Sequence, residues 1–363
     1  MPVINTEALD ITSDITTTTT LLHETIPMTG TIVSGTYGAF RSETNVKNYT
    51  HGMFQSVYDY PYLSSSSNHI FDLTCGFDET SPLSGAVTTV QGSKKINLYN
   101  QFAQVLLGYT ASTGDGIRKF ERDLNLDGVG TMDSVFMLSF SRLLSKDEIK
   151  RGSFSITVGT GSWDSPFYEG TQARSKTLQD ISASLTDQGV KNTLGGDYAL
   201  LFSGSGGALE PRACGLVFYQ AGIVVLTSSI FRSPAGRAVE HFTKIGSTTY
   251  TASGSIQQVA ISGNADSLRH RIKNISFNNT TEINSKIYFC RVPHNKFNYS
   301  SNPTYVTGSK IRVKNVASDT PISYITTVGL YNTAGELLAV AKLSEPLRKD
   351  PNNDMTIRVR LDY

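Results

Sequence analysis

The last nine residues alternate without a break: Met355, Ile357, Val359, Leu361 and Tyr363 are apolar, and Thr356, Arg358, Arg360 and Asp362 are polar. Successive side chains of a strand point to opposite faces, so this period of two predicts a strand with one buried face. Upstream, Tyr324–Tyr331 and Glu336–Leu343 flank Asn332-Thr333-Ala334-Gly335. A loop of that length ending in Gly predicts a hairpin closed by a type I turn and a G1 bulge. Pro346 is expected to end the returning strand, and Lys349–Asn353 to form a polar turn.

Similar patterns recur along the chain. Cys214–Tyr219 and Ile223–Leu226 are apolar on both faces and are joined by Gln220-Ala221-Gly222, which predicts a hairpin lying inside a sheet. Ser134–Leu143, Ser153–Val158 and Tyr198–Phe202 read as further strands, and residues 26–75 as short strands and loops. Within that stretch the aromatic cluster Phe54, Tyr58, Tyr60 and Tyr62 is expected in a core, with an interface as the alternative. Ile275–Phe277 and Ile287–Val292 are expected to flank a turn rich in Asn and Thr. The five threonines Thr16–Thr20 predict an extended arm or an edge strand, because their branched side chains disfavour a helix.

Four segments carry a helical signal. Tyr99, Phe102, Ala103 and Leu106 recur at helical spacing and place a core helix over Ile96–Leu107, stopped by Gly108. Ser145 and Glu148 form a capping box for a single turn. Ala265–Asn274 predicts a short amphipathic helix with Asn264 as N-cap, Leu268 and Ile272 inward, and Arg269, Arg271 and Lys273 on a solvated face. Ile181–Gln188 is weakly helical. The expected fold is mainly β, with β-sandwich-like antiparallel modules and a few short helices. The expected organisation is an extended arm over residues 1–25, a β-rich assembly domain over 26–263, and a C-terminal β module over 264–363.

Composition fits this picture. Charged residues are 17% of the chain, below the usual quarter, and Ser, Thr, Asn and Gly fill the gap. A net charge of +1 supplies no basic field for nucleic acid or anionic lipid, so neither is expected as a partner. Met1–Thr20 has no basic and apolar leader pattern, and no apolar run approaches a membrane span. Cys75, Cys214 and Cys290 are odd in number and widely spaced, which predicts free thiols and folding in a reducing cytosol.

Candidate chemistry is sparse. Asp123, Asn125 and Asp127, followed by Gly128, match the opening of a calcium loop, with oxygen ligands at positions 1, 3 and 5. Position 12 is Ser134 where a bidentate acid belongs, and the same residues also suit a polar turn. Gly204-Ser205-Gly206-Gly207 lacks the Lys of a phosphate loop. The six histidines are scattered, and no nucleophile-elbow motif occurs. No catalytic or cofactor-binding residue is assigned, and the chain is not expected to be an enzyme.

Tyr324–Asn332 followed by Gly335-Glu-Leu-Leu-Ala-Val-Ala-Lys-Leu-Ser-Glu-Pro346 resembles a hairpin of tailed-bacteriophage virion proteins. Asn100–Gly108, Ser145–Gly152, Ile287–Val292 and Phe297–Pro303 resemble stretches of structural proteins of large, cyanophage-like myoviruses. The resemblance implies a structural protein of the tail, baseplate or neck, assembled in the host cytoplasm into the virion. Copies of itself and other virion proteins would be its partners. It implies that the C-terminal hairpin is core, with neighbouring loops at the interface, and it brings no catalytic residue. Two other roles stay open: a receptor- or glycan-binding fibre module, using Trp163 in the Gly159–Trp163 loop, and a capsid decoration protein.

Overall fold

The computed structural model describes residues 6–29, 43–81, 90–110, 116–161, 166–169, 171–185, 189–205, 208–209, 213–231, 242–245, 249–252, 260–300, 305–307, 310–311, 316 and 318–363. The fold is mainly β, built on antiparallel sheets with a few helices, as the hydrophobic patterning predicts. By internal contacts the chain divides into Leu22–Thr281 and a second unit made of Met1–Leu21 with Glu282–Tyr363. These divisions fall elsewhere than at residues 25 and 264. Residues around 264 are buried in the larger unit, so no boundary lies there. The N-terminal segment groups with the C-terminal module because Phe289 N–H donates to the Asp14 carbonyl and Arg291 pairs with the Asp14 carboxylate at 2.6 Å.

The larger unit is organised by one antiparallel path. From the strand beginning at Ile272 it runs through Ser155–Gly159, Ser175–Gln179, Gly196–Ser205, Gly215–Phe218, Ile223–Thr227, Ser134–Phe140, His69–Phe77 and Gln55–Tyr58 to Val46–Asn48. Gly215–Phe218 and Ile223–Thr227 form the expected hairpin, with Gly222 in the left-handed region at φ 65°. Each has a further strand neighbour, and nearly all their side chains are buried. Phe54, Tyr58 and Tyr62 are only half-buried and Tyr60 is exposed, correcting their assignment to a core. Gln55–Tyr58 and Val46–Asn48 close the end of the path, with Gln55, Ser56 and Val57 buried and the aromatic side chains at its margin.

The helix Val90–Leu106 begins earlier than its apolar spacing suggests and buries Tyr99, Ala103 and Leu106. It lies directly on the strand His69–Phe77: a Cβ on Gly76 would stand 2.6 Å from the Lys95 carbonyl and 2.9 Å from the Tyr99 nitrogen. Tyr99 then locks the helix to the following loop. Its hydroxyl donates to the Met132 carbonyl at 3.1 Å and accepts from Phe120 N–H at 3.2 Å. Burial pushes that phenol well above its ordinary pKa. The expected capping box at Ser145 does not form. Ser141 caps a single turn, Arg142–Ser145, and Glu148 lies in the strand Glu148–Ile149. The earlier hydroxyl captures the orphan N–H of Leu143 at 3.3 Å, and the turn is spent by Ser145.

The third helix departs furthest from its expected form. It spans Ile261–Arg271, its N-cap is Ala260, and Asn264 lies inside it, buried. Arg269 and Arg271 do not face solvent: both are buried. Arg269 Nη1 pairs with Glu43 at 2.9 Å, Nη2 with Asp266 at 3.2 Å, and Nε donates to Gln55 Oε1 at 3.3 Å. Gln55 Nε2 donates in turn to Asp266 at 2.7 Å. Arg271 Nη1 is satisfied by the carbonyls of Gly159 and Gly161 at 3.2 and 2.7 Å. Opposite charge and hydrogen bonds thus replace water around Arg269, and backbone carbonyls help to do so around Arg271.

No turn interrupts Ile272–Val292, which is a single strand of 21 residues. The Asn and Thr side chains that suggested a turn are held by neighbours instead. Asn279 accepts from Glu24 N–H at 3.1 Å and donates to the Leu144 carbonyl at 2.9 Å. Thr16–Thr20 lies in the strand Ile15–Thr29, at the end of the strand order.

In the smaller unit, Ser285–Val292 pairs antiparallel with the strand Met355–Asp362. The alternation holds through Asp362: Ile357 and Val359 are buried, and Thr356, Arg358, Arg360 and Asp362 are exposed, whereas Tyr363, expected on the buried face, lies past the strand and is exposed. Ser323–Tyr331 and Leu337–Lys349 make the hairpin. Gly335 sits at φ 81°, its N–H donates to the Asn332 carbonyl at 3.0 Å, and Asn332 N–H donates to the Glu336 carbonyl at 3.0 Å. This is the closure that Asn332–Gly335 predicts. Pro346 does not end the strand. The register jumps between Thr327↔Lys342 and Ile325↔Leu347, so Pro346 falls in an irregularity where its missing N–H breaks no ladder bond. Lys349 is buried where the strand ends, its ammonium shared among the carbonyls of His294 and Asp350 and the side chain of Asn298.

Replacing Gly76 with Ala forces the helix off the strand and lowers unfolding free energy by about 1–3 kcal/mol, read by chemical denaturation; an unchanged midpoint would refute the close approach. Replacing Arg269 with Ala strands Glu43 and Asp266 in the interior and costs about 3–5 kcal/mol. A loss under ~1 kcal/mol would show that the guanidinium is not a fixed part of the core.

Candidate functional site: an acidic turn and an exposed hairpin face

The candidate calcium residues lie on a closed turn. Met132 N–H donates to the Phe120 carbonyl at 2.7 Å and Arg122 N–H to the Gly130 carbonyl at 3.1 Å, pinning its two ends. Phe120 and Met132 are fully buried, so the turn is rooted in the core. Leu126, Gly128 and Gly130 adopt positive φ and carry the reversal. Asp123 Oδ1 accepts from Asn125 N–H and Asp127 Oδ1 from Val129 N–H, both at 2.9 Å. Asn125 is exposed, and its carbonyl accepts from Lys191 at 3.1 Å.

The acid missing from the sequence pattern comes from before the turn. Glu121 places a carboxylate oxygen with those of Asp123 and Asp127 so that all three lie within 4.8 Å. These three residues can hold a cation. Glu121 is also the brace of the turn, accepting from Asp127 N–H at 3.0 Å and Gly128 N–H at 2.9 Å. Burial raises its pKa first, and the charges of Asp123 and Asp127 raise it further, while the two N–H groups oppose this. Calcium-loop spacing runs forward from its first Asp and therefore passes over Glu121; only the pairing of Glu121 with Thr131 across the turn brings it in.

Two other constellations resemble chemistry without its geometry. His69 Nε2 lies 2.9 Å from Asp72 Oδ1, and the Ser56 hydroxyl donates to the same oxygen. The carboxylate stands between histidine and serine, so His69 has no hold on the serine proton. Asp180 is buried with its pKa raised by desolvation, yet Gly152 N–H, Phe154 N–H and the Tyr219 hydroxyl all donate to it at 2.8–3.0 Å. That arrangement stitches a loop to the sheet. Cys75 and Cys214 are buried free thiols and Cys290 is half-buried. Trp163 and the Gly206-Gly207 part of the glycine loop lie outside the described residues.

The hairpin carries the second feature. Val328, Leu330, Ala339, Ala341 and Leu343 are half-buried, while Tyr331, Leu337, Leu338 and Val340 are exposed, Leu338 at 69% and Val340 at 52%. The hairpin is therefore not all core, because only one face of this two-stranded sheet is covered. Gly329 shapes the open face: a Cβ there would stand 3.0 Å from the Tyr331 ring and 3.2 Å from Leu337. With glycine in that place, both side chains lie down on the sheet. Tyr49, His51 and Phe54 form a third surface feature, with ring centroids 4.8–5.0 Å apart and Lys47 over Tyr49.

No family model, no curated protein and no solved structure matches the chain. No helix among the described residues is long and apolar enough to cross a membrane.

The Glu121 pKa fixes a sign. Its folded value lies above its unfolded value, so its contribution to stability is present at low pH and is lost as pH rises from 4.5 through the folded value. The stability difference between the native chain and Glu121→Gln should fall across that interval, measured by denaturation at stepped pH. A constant or rising difference would contradict the assignment. Millimolar calcium removes the slope if the turn holds the ion and leaves it in place if the turn is only a turn.

Proposed function

We propose that the chain is a structural subunit of a tailed-bacteriophage particle, in its tail, baseplate or neck. It works by contacts with copies of itself and with other particle proteins, after assembly in the host cytoplasm. It carries out no catalysis, and neither nucleic acid nor membrane is its partner. Calcium, held by Glu121, Asp123 and Asp127, is the one cofactor this role admits.

The observation that carries the proposal is the hairpin. The segment that resembles phage virion proteins is also the segment with a flat apolar face left open to solvent, at Tyr331, Leu337, Leu338 and Val340. Exposed apolar residues gathered on one face mark interaction surfaces. The long edge strand Ile15–Thr29, exposed from Thr16 to Thr25, supports the same role, since free strand edges recruit other chains.

A glycan-binding fibre module is the second reading. Tyr49 stacked on His51, with Phe54 tilted against both, favours it, because flat aromatic groups offer apolar faces to sugar rings.

Antibody against the purified chain, imaged on particles by gold labelling, tests the proposal. Label on tails, baseplates or necks is expected. Label on the capsid shell alone, or none on disrupted particles, would sink it. Glycan binding that is lost in Tyr49→Ala would move the assignment to the second reading.

A further inference from the structure

We propose that the buried Tyr198 hydroxyl completes the acidic turn as a site for one calcium ion. Glu121, Asp123 and Asp127 hold the ion directly, and the hydroxyl donates to a water in its shell. This rests on the calcium reading of the turn given above and names the fourth group of that site.

Acidic side chains gather on exposed turns without binding an ion, so three carboxylates alone decide nothing. Tyr198 is the independent observation. Its side chain is fully enclosed, yet its hydroxyl has no hydrogen-bond partner. Leaving a buried hydroxyl unpaired is costly, so such a group calls for a partner.

The strand register aims Tyr198 at the turn. Val190–Thr193 pairs antiparallel with Gly196–Ser205, and Lys191 stands directly opposite Tyr198. Directly opposed side chains share a face of the sheet. On that face the Lys191 ammonium donates to the carbonyls of Leu124 and Asn125, at 2.6 and 3.1 Å. The turn therefore lies over the face from which Tyr198 projects, its ring stacked on Phe218. Burial raises the pKa of the phenol first, and the charges of Glu121 and Asp123 raise it further, with Arg118 opposing. The hydroxyl thus keeps its proton and feels both carboxylates, but hydrogen-bonds to neither. A water can bridge such a separation, accepting from the phenol while it coordinates the ion.

The donor set selects the ion. Every group offers oxygen, which suits hard cations. The three carboxylate oxygens lie within 4.8 Å of one another. Two ligands on opposite sides of an ion with oxygens at about 2.4 Å stand that far apart. Asp123 and Asp127 each engage a turn N–H through Oδ1, which leaves Oδ2 for the ion. Calcium accepts an irregular shell of this kind, whereas magnesium needs a tighter octahedron at about 2.0–2.1 Å and dehydrates reluctantly.

Terbium tests the site in the purified full chain, as a hard stand-in for calcium whose emission is sensitised by a tyrosine close to it. Saturable tyrosine-sensitised emission is expected, displaced by calcium and less readily by magnesium. Asp127→Asn, at an exposed position, should weaken calcium binding at least about tenfold. Tyr198→Phe keeps the ring on Phe218 and should weaken it by about 10–100-fold, with loss of most of the emission. In chelator, Tyr198→Phe should unfold at or above the native midpoint, because it removes only an unpaired hydroxyl. In calcium the native midpoint should rise and the variant should lag behind. A native chain without calcium-reversible emission would overturn the proposal and the calcium reading together. Calcium affinity unchanged in Tyr198→Phe would overturn the proposal and leave the ion on the three carboxylates. Equal destabilisation of Tyr198→Phe with and without calcium would assign the hydroxyl to an ordinary buried water and overturn the proposal as well. The particle role stands or falls separately, on the gold labelling.

Discussion

The fold of the larger unit depends on one buried cation. Arg269 has no exposed surface, and its guanidinium draws together Glu43, Gln55 and Asp266. Glu43 precedes the first short strand, Gln55 begins the next, and Asp266 lies one turn back on the same helix. A planar fork of donors suits such a meeting point, because it satisfies several acceptors in fixed directions. Buried pairs of this kind add little net stability over an apolar core, but leaving one partner alone is expensive. The cluster therefore works chiefly as a constraint: the helix must dock with Arg269 inward or strand two carboxylates. The surrounding sheet supplies the apolar burial, with Phe71, Phe77, Phe136 and Phe218 all enclosed.

Much of the fold was legible in the sequence because it depended on local period. The closing strand, the hairpin at Asn332–Gly335, the inner hairpin at Gly222 and the core face of the first helix all follow from side-chain spacing and turn chemistry. The misreadings share a cause. Arg269 looked like a solvated residue because its partners Glu43 and Gln55 are more than two hundred residues away. Asn278-Asn279-Thr280 looked like a turn because such side chains favour turns, and contacts with Glu24 and Leu144 override that preference. Pro346 looked like a stop, and an irregularity absorbs it.

The acidic turn was half legible. Asp123 and Asp127 stood out by spacing, whereas Glu121 enters through the pairing of the two sides of the turn. The open hairpin face was not legible as open. Alternation shows that a strand has two faces, but it cannot say whether a further layer covers the second one. Leu338 and Val340 would read the same in a buried sheet, and only their 69% and 52% exposure marks them as surface.

Under the proposed function, the molecule is a scaffold whose chemistry is contact. The most direct measurement is zero-length carbodiimide cross-linking of purified particles, followed by peptide mass spectrometry. The account predicts peptides joining one copy of the chain to another, assigned by mixing isotope-labelled and unlabelled copies. Particles that contain the chain and yield only cross-links within single copies would contradict the proposed contacts between copies. Particles that lack the chain would contradict the assembly role itself.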